Sequence, residues 1–244
     1  MTLSTLVAGL PSRVRRNACN YIGLLYYIRM ETPKNPLSIN HRIREGLARL
    51  ATIQRIDDWN RAKASGLNPT QLAILALLEG RGERGLGVKE IAAHLGVSQP
   101  TATDSINALE RKGYLEKRPG ENDRRAVHIA LTPAGNATLH AADIEGNLTE
   151  SAVGCLDAGE QEYLLFMLVK MIRHLQQENA IPVQRMCVTC RHFAPFKHAG
   201  ATQPHHCNFV DAAFGQQDLR IDCRDQEQAD PMSRAATWDA FRPG

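Results

Sequence analysis

The chain has 244 residues, 43% of them hydrophobic, 23% charged and 5% aromatic, with a formal net charge of +3. Those figures fit a globular protein with one large or two small cores, and they exclude collagen-like, coiled-coil-only and wholly disordered chains. No apolar run reaches the ~18 residues of a membrane span; the best candidate, 18–28, is short and contains Asn20.

The charge is unevenly spread. It is +4 over 1–39, +3 over 40–67, +1 over 68–132, −5 over 133–182 and 0 over 183–244. A basic front half suits an anionic partner, and the acidic stretch would face away from it. Arg13, Arg15 and Arg16 precede the apolar run, but Leu10-Pro11 breaks its start and no small-residue cleavage site follows, so it does not read as an export signal. Met30 offers a second start, and residues 1–39 are expected to be a tail of which 1–29 is dispensable.

From His41 to Ala64, Ile43, Leu47, Leu50, Ile53, Ile56 and Trp59 recur at steps of three and four, which predicts an amphipathic helix. Asn68-Pro69-Thr70-Gln71 starts a second helix with a cap, a proline at its first position and a capping-box glutamine. A glycine-rich stretch follows, then two short helices. Ile91, Ala92 and Leu95 pack the first, which Gly96 ends; Ser98 caps the second, whose apolar positions are Ala102, Ile106 and Leu109. About three residues separate them, room only for a tight turn. Beyond Gly113 the period becomes two. Residues 114–118 and 125–131 flank a turn cluster, a β-hairpin signal. Thr132-Pro133 predicts a fifth helix over 134–155, and Asp157 with Glu160 caps a sixth, apolar on most faces and so buried in a core or against a second subunit. From Val183 the helical periodicity fades, and a domain boundary is expected near Ile181-Pro182.

Helix, tight turn, helix and hairpin form a kit for reading DNA, the second helix in the major groove and the hairpin on the backbone or minor groove. Its candidate contacts are the short polar residues Ser98, Gln99, Thr101, Thr103, Ser105 and Asn107, with Lys117, Arg118, Arg124 and Arg125 for phosphates. These segments, with the wing pattern Asp123, Arg125, Leu131, Thr132 and Gly135, resemble the MarR family of winged-helix transcriptional regulators over roughly 40–180. The resemblance implies a wing arginine, Arg125, in the minor groove with Asp123 holding it. It also implies a homodimer on double-stranded DNA, formed through the terminal helices, and a small-molecule effector between the DNA-binding and dimerisation parts. Asp104 departs from the basic residue many relatives carry there.

Cys187, Cys190, Cys207 and Cys223 are crowded at the spacing C-x2-C-x16-C-x15-C, while Cys19 and Cys155 are isolated. Without an export signal, such clustering points to metal in a reducing cytosol rather than to disulfides. Four thiolates suit zinc or an iron–sulfur cluster. Two lone distal cysteines, and Phe193 and Phe209 close behind the ligands, favour a cluster of the 4Fe-4S type, and this stretch resembles the high-potential iron–sulfur proteins. Zinc remains the alternative, with His192, His205 or His206 able to replace a cysteine. Four thiolates leave no open position and no motif would activate water, so no enzyme is expected.

The expected fold is mainly α with a β-hairpin wing: a cytoplasmic winged helix-turn-helix dimer with a small irregular cysteine-rich C-terminal domain. Its parts are a tail (1–39), a dimerisation helix (40–67), the DNA-binding domain (68–132), further dimerisation helices (133–182) and the cysteine-rich domain (183–244).

Overall fold

The computed structural model describes residues 38–82, 85–119, 127–141 and 147–242. The expectations for residues 1–29, for Cys19 and for the wing residues Asp123, Arg124 and Arg125 lie outside the described residues. The chain divides into two compact units, 1–50 and 51–244. The division falls inside helix α1 (Ile39–Ala64), and the second unit holds two separate hydrophobic clusters.

Helix α2 (Pro69–Leu78) begins as its residues dictate: the Asn68 side chain accepts from the Gln71 amide, and the Gln71 side chain answers the Asn68 amide. Helices α3 (Val88–Leu95) and α4 (Gln99–Arg111) follow, α3 ended by Gly96 in the left-handed region and α4 capped by Ser98. Leu72, Ile74, Leu75 and Leu78 of α2 meet Ile91, Ile106 and Leu109 in one buried cluster.

Strands β2 (Leu115–Pro119) and β3 (Val127–Leu131) form the hairpin, with Leu115 opposite Leu131 and Pro119 opposite Val127. A third strand, β1 (Leu86–Gly87), pairs with β3 on its other side, giving the antiparallel order β1-β3-β2. Two residues are too few to show an alternating pattern, so β1 was not legible. The glycine run has a steric reason: a Cβ on Gly85 would overlap the Ile129 carbonyl. The Leu-Thr-x-x-Gly pattern has one too. The Thr132 hydroxyl donates to the Gly113 carbonyl and accepts from the Gly135 amide, and any Cβ on Gly135 would overlap the Tyr114 carbonyl.

The long fifth helix expected over 134–155 is instead two, α5 (Pro133–Ala141) and α6 (Leu148–Val153). Asn147 adopts an extended backbone and caps Glu150, while the Asp57 carboxylate accepts from the amides of Leu148 and Thr149. Two acceptors at one point create a helix N-terminus. Cys155, isolated from the other cysteines in sequence, lies past α6 and is exposed.

Helix α7 (Ala158–Gln177) carries the expected Asp157–Glu160 capping box. Its Leu165, Phe166, Val169 and Ile172 pack against Met186, Val188, Phe193, Leu219, Trp238 and Phe241. The cysteine-rich segment is therefore not coreless, and α7 forms one wall of its core. Strands β4 (Phe193–Ala194), β5 (His205–Cys207) and β6 (Ala212–Phe214) make a second antiparallel sheet in chain order, and helix α8 (Pro231–Phe241), capped by Asp230, closes the segment. The Phe241 ring lies 5.6 Å from that of Phe193 and 5.7 Å from that of Phe166. Aromatic side chains bury large apolar areas, which lets so short a segment hold together. Among the described residues no helix is long and apolar enough to cross a membrane.

Candidate nucleic-acid interface and a four-thiol cavity

The inner face of α4 is set by Ala102, Ser105, Ile106 and Leu109, all buried. Its outer face begins with exposed Gln99 and Thr101 and continues to Asp104 and Arg111. Ser98 is occupied as the cap, 3.2 Å from the Thr101 amide, and the Thr103 hydroxyl donates to the Gln99 carbonyl at 2.8 Å. Ser105 corrects the sequence reading. It stands three residues after Ala102 and four before Leu109, so it faces the core and is 8% exposed. Asn107 is half-buried and accepts from Lys117 Nζ at 3.0 Å, while Lys117 also pairs with Glu110 at 2.6 Å. Arg118 pairs with Glu116. Both wing-base cations therefore sit against carboxylates rather than standing alone.

Residues 65–126 match the model of the family described as MarR family. Over 116 residues the chain is 34% identical to the uncharacterized HTH-type transcriptional regulator YkoM of Bacillus subtilis (strain 168), a span covering 47% of this chain and 74% of that protein. The chain belongs to the MarR family. It is also 30% identical over 116 residues to the transcriptional repressor MprA of Escherichia coli (strain K12), spanning 66% of that protein's length, just under two thirds, and 47% of its own. Among solved structures it is similar to the transcriptional regulator BldR from Sulfolobus solfataricus at 22% identity and a TM-score of 0.48, covering 57% of this chain and 99% of that one. The four clustered cysteines lie beyond the span that the MarR family model matches.

Those cysteines come from three places. Cys187 and Cys190 flank a 3-10 turn over Cys187–Thr189, Cys207 ends β5, and Cys223 stands in the loop before α8. All four line one cavity of about 350 Å³, together with His192, Gln203, Asp218, Arg220 and Asp225. The remaining wall is apolar: Phe193, Phe209, Val210, Ala212, Ala213 and Phe214. Among the described residues no three His, Cys, Asp or Glu side chains close around a point that could hold a metal ion.

Burial pushes the Cys187 thiol up to about 11, opposed by the Arg220 amide, and the other three cysteines push the same way as burial. Sequence reasoning missed Arg220. Its amide donates to Cys187 Sγ at 3.3 Å, and its Nη1 lies 3.7 Å from Cys223 Sγ. That sulfur holds the Arg220 guanidinium above its ordinary pKa. Only an arginine three residues before a cysteine hinted at this in the sequence.

The histidines divide. His192 lines the cavity, whereas His205 and His206 face other partners. His205 is fully buried, with Nε2 at 3.0 Å from Gln216 Oε1, and burial lowers its pKa. His206 lies between His198, at 3.1 Å, and Asp211, at 3.1 Å.

A second cavity of about 330 Å³ is lined by Asp58, Arg61, Pro69, Leu72, Ala73, Ala76, Leu77, Leu95 and Asp222.

Proposed function

We propose that the chain is a transcriptional regulator that binds a pseudo-palindromic duplex as a homodimer, through α4 in the major groove and the wing on the flanking backbone. The observation that carries this is α4 itself: a helix held on the core by four buried residues, presenting a short-side-chain polar start to the outside. Such residues reach base edges without steric conflict. The family resemblance adds Arg125 and Asp123 at the wing. The homodimer is supported by apolar side chains that one chain leaves uncovered: Ile56 and Trp59 on α1, and Tyr163, Leu164, Met171 and Leu175 on α7. Selection from a random duplex pool, followed by anisotropy titrations over a salt series, tests the reading. The expected result is an enriched two-fold-symmetric sequence bound more tightly than random duplex, with half-sites about one helical turn apart. A chain that enriches no sequence would end it.

The regulator reading extends to a cofactor held by Cys187, Cys190, Cys207 and Cys223. An iron–sulfur cluster of the 4Fe-4S type is supported by what the residues offer: four thiols on one cavity, an apolar wall, and two N–H donors from Arg220 directed at sulfurs. These are the features that set a cluster's potential. Bound there, it would supply one-electron and oxygen-sensitive chemistry. The chain's own part is to shield the thiols and supply the donors. Zinc, a structural ion in the alternative reading, would be held by the same four thiols. A small-molecule effector is supported by the cavity between α1, α2 and Leu95.

A further inference from the structure

We propose that the loop Arg220–Asp225, which carries Cys223, is a latch that reports the state of the four-thiol cavity to the end of α2 in the winged helix, with Arg185 as its pivot. This rests on the cofactor reading only for what fills the cavity.

Arg185 touches both sides. Its carbonyl accepts from the Cys223 amide at 2.8 Å, which fixes the height of Cys223 against the cavity. Its guanidinium makes a two-pronged contact with Asp222, Nη2 to Oδ2 at 2.7 Å with Nε on the other oxygen. The same group donates to the carbonyls of Gly80, at 3.2 Å, and Glu79, at 3.3 Å. Those carbonyls end α2, where a helix leaves acceptors unpaired and favours a cation.

Arg224 adds a second tie. Its guanidinium pairs with the Glu79 carboxylate, and its stem fills the space where a side chain on Gly80 would stand. Each pair has one largely exposed member, Arg224 at 61% and Asp222 at 62%, so neither contributes much stability by itself and both act by fixing position; Arg185, 10% exposed, is the better shielded cation. Cys223 lies between these two anchors in the chain. A planar fork binds a carboxylate through two parallel N–H···O bonds, which weaken as distance and angle depart from the preferred range. A shift of Cys223 therefore pulls on both contacts, through its neighbours Asp222 and Arg224.

The charge balance carries the signal further. Asp222 pairs with Arg185 and also attracts Arg81, which Glu90 attracts as well. His94 of α3, with a buried Nδ1 that has no hydrogen-bond partner, feels the same three groups and Glu90. Helix α3 packs directly on α4 through the turn between them. Withdrawing Asp222 would leave the largely buried Arg185 without its carboxylate partner, and Arg81 with Glu90 alone, an arrangement that costs stability.

The test is hydrogen exchange on the full chain, anaerobic, before and after loading with ferrous iron and sulfide. Wild type, Arg185→Lys and Arg224→Ala are compared over residues 77–82 and 219–226. Loading is expected to slow exchange about fivefold or more in both segments of the wild type, a typical coupling magnitude. In the variants it should slow 219–226 alone, and the ratio of loaded to unloaded operator affinity should move to one. Protection confined to 219–226 in the wild type, or reaching 77–82 undiminished in both variants, overturns the latch. Iron and sulfide per chain are counted separately, and no uptake by the wild type ends the cofactor reading instead. The latch is then judged by alkylating the cavity thiols with N-ethylmaleimide. That must speed exchange at 77–82 in the wild type and not in Arg224→Ala, and an unresponsive wild type overturns it.

Discussion

Asp57 shows how one carboxylate settles a stretch of backbone. It is buried and holds the hydroxyl of Thr149 at 2.7 Å and the amides of Thr149 and Leu148 at 2.9 and 3.1 Å. The hydroxyl lowers its pKa most; burial opposes this, and the two amides add to the lowering. A depressed carboxyl pKa contributes stability above the unfolded value and loses it as pH falls through the native one. The stability gap between wild type and Asp57→Asn should therefore be widest near neutrality and close below about pH 4. Urea midpoints across that range check it, and a gap independent of pH would remove the carboxylate from the account. The cysteines separate at the same scale. Cys223→Ser is expected to lose most cofactor occupancy, since metal affinity is coupled to closure of the ligand set, while exposed Cys155→Ser keeps it. Iron, sulfide and zinc per chain after anaerobic purification decide this, and full occupancy in Cys223→Ser would bring His192, on the cavity wall, into the ligand set. The four cysteines were legible from spacing alone. Arg220, Asp222 and Arg185 were not, because their roles depend on a fold that brings positions 185 and 222 side by side.

At the scale of elements, caps and periodicity carried the reading. Asn68, Ser98 and Asp157 cap where expected because each side chain satisfies an amide of its own helix, an interaction within four residues. The break between α5 and α6 was hidden because Asp57, about ninety residues away in sequence, helps to make it. Strand β1 exists by pairing with β3 and has no local signature, and α8 was lost in a stretch read as irregular. Helix α4 carries a paired prediction. Gln99→Ala, on the outer face, should lower the preference for operator over random duplex by an amount of order ~1–3 kcal/mol, the worth of one good base contact. Ser105→Ala, on the inner face, should leave that preference unchanged. Parallel anisotropy titrations measure both, and an effect of Ser105→Ala as large as that of Gln99→Ala would reverse the assignment of faces.

For the whole molecule, α7 is the member that joins the winged helix to the cysteine segment along the chain. One of its faces is covered within the chain by Phe193, Trp238 and Phe241, and another leaves Tyr163, Leu164, Met171 and Leu175 exposed. A second subunit is the expected cover, so light scattering at micromolar concentration should report a dimer. Met171→Glu combined with Leu175→Glu should shift it towards monomer and cost operator affinity with it. A wild-type monomer that binds its operator at full strength would refute the assembly. The sequence already showed that this helix was too apolar for one surface, but not that its own chain supplies part of the cover, because aromatics scattered over 193–241 have no period.

That arrangement has a consequence for how the protein is made. Helix α7 is complete at residue 177, yet its cover, begun by Met186 and Val188, is completed only with Phe241. At ribosomal speeds of about 5–20 residues per second, Leu165, Phe166, Val169 and Ile172 wait on the order of several seconds for their partners. During that interval the nascent chain displays the kind of apolar ridge that chaperones grip. The winged helix, whose core closes by residue 139, can already be folded. Birth order thus makes the cysteine segment settle after the winged helix, and leaves it more exposed than the winged helix to a stalled or hurried synthesis.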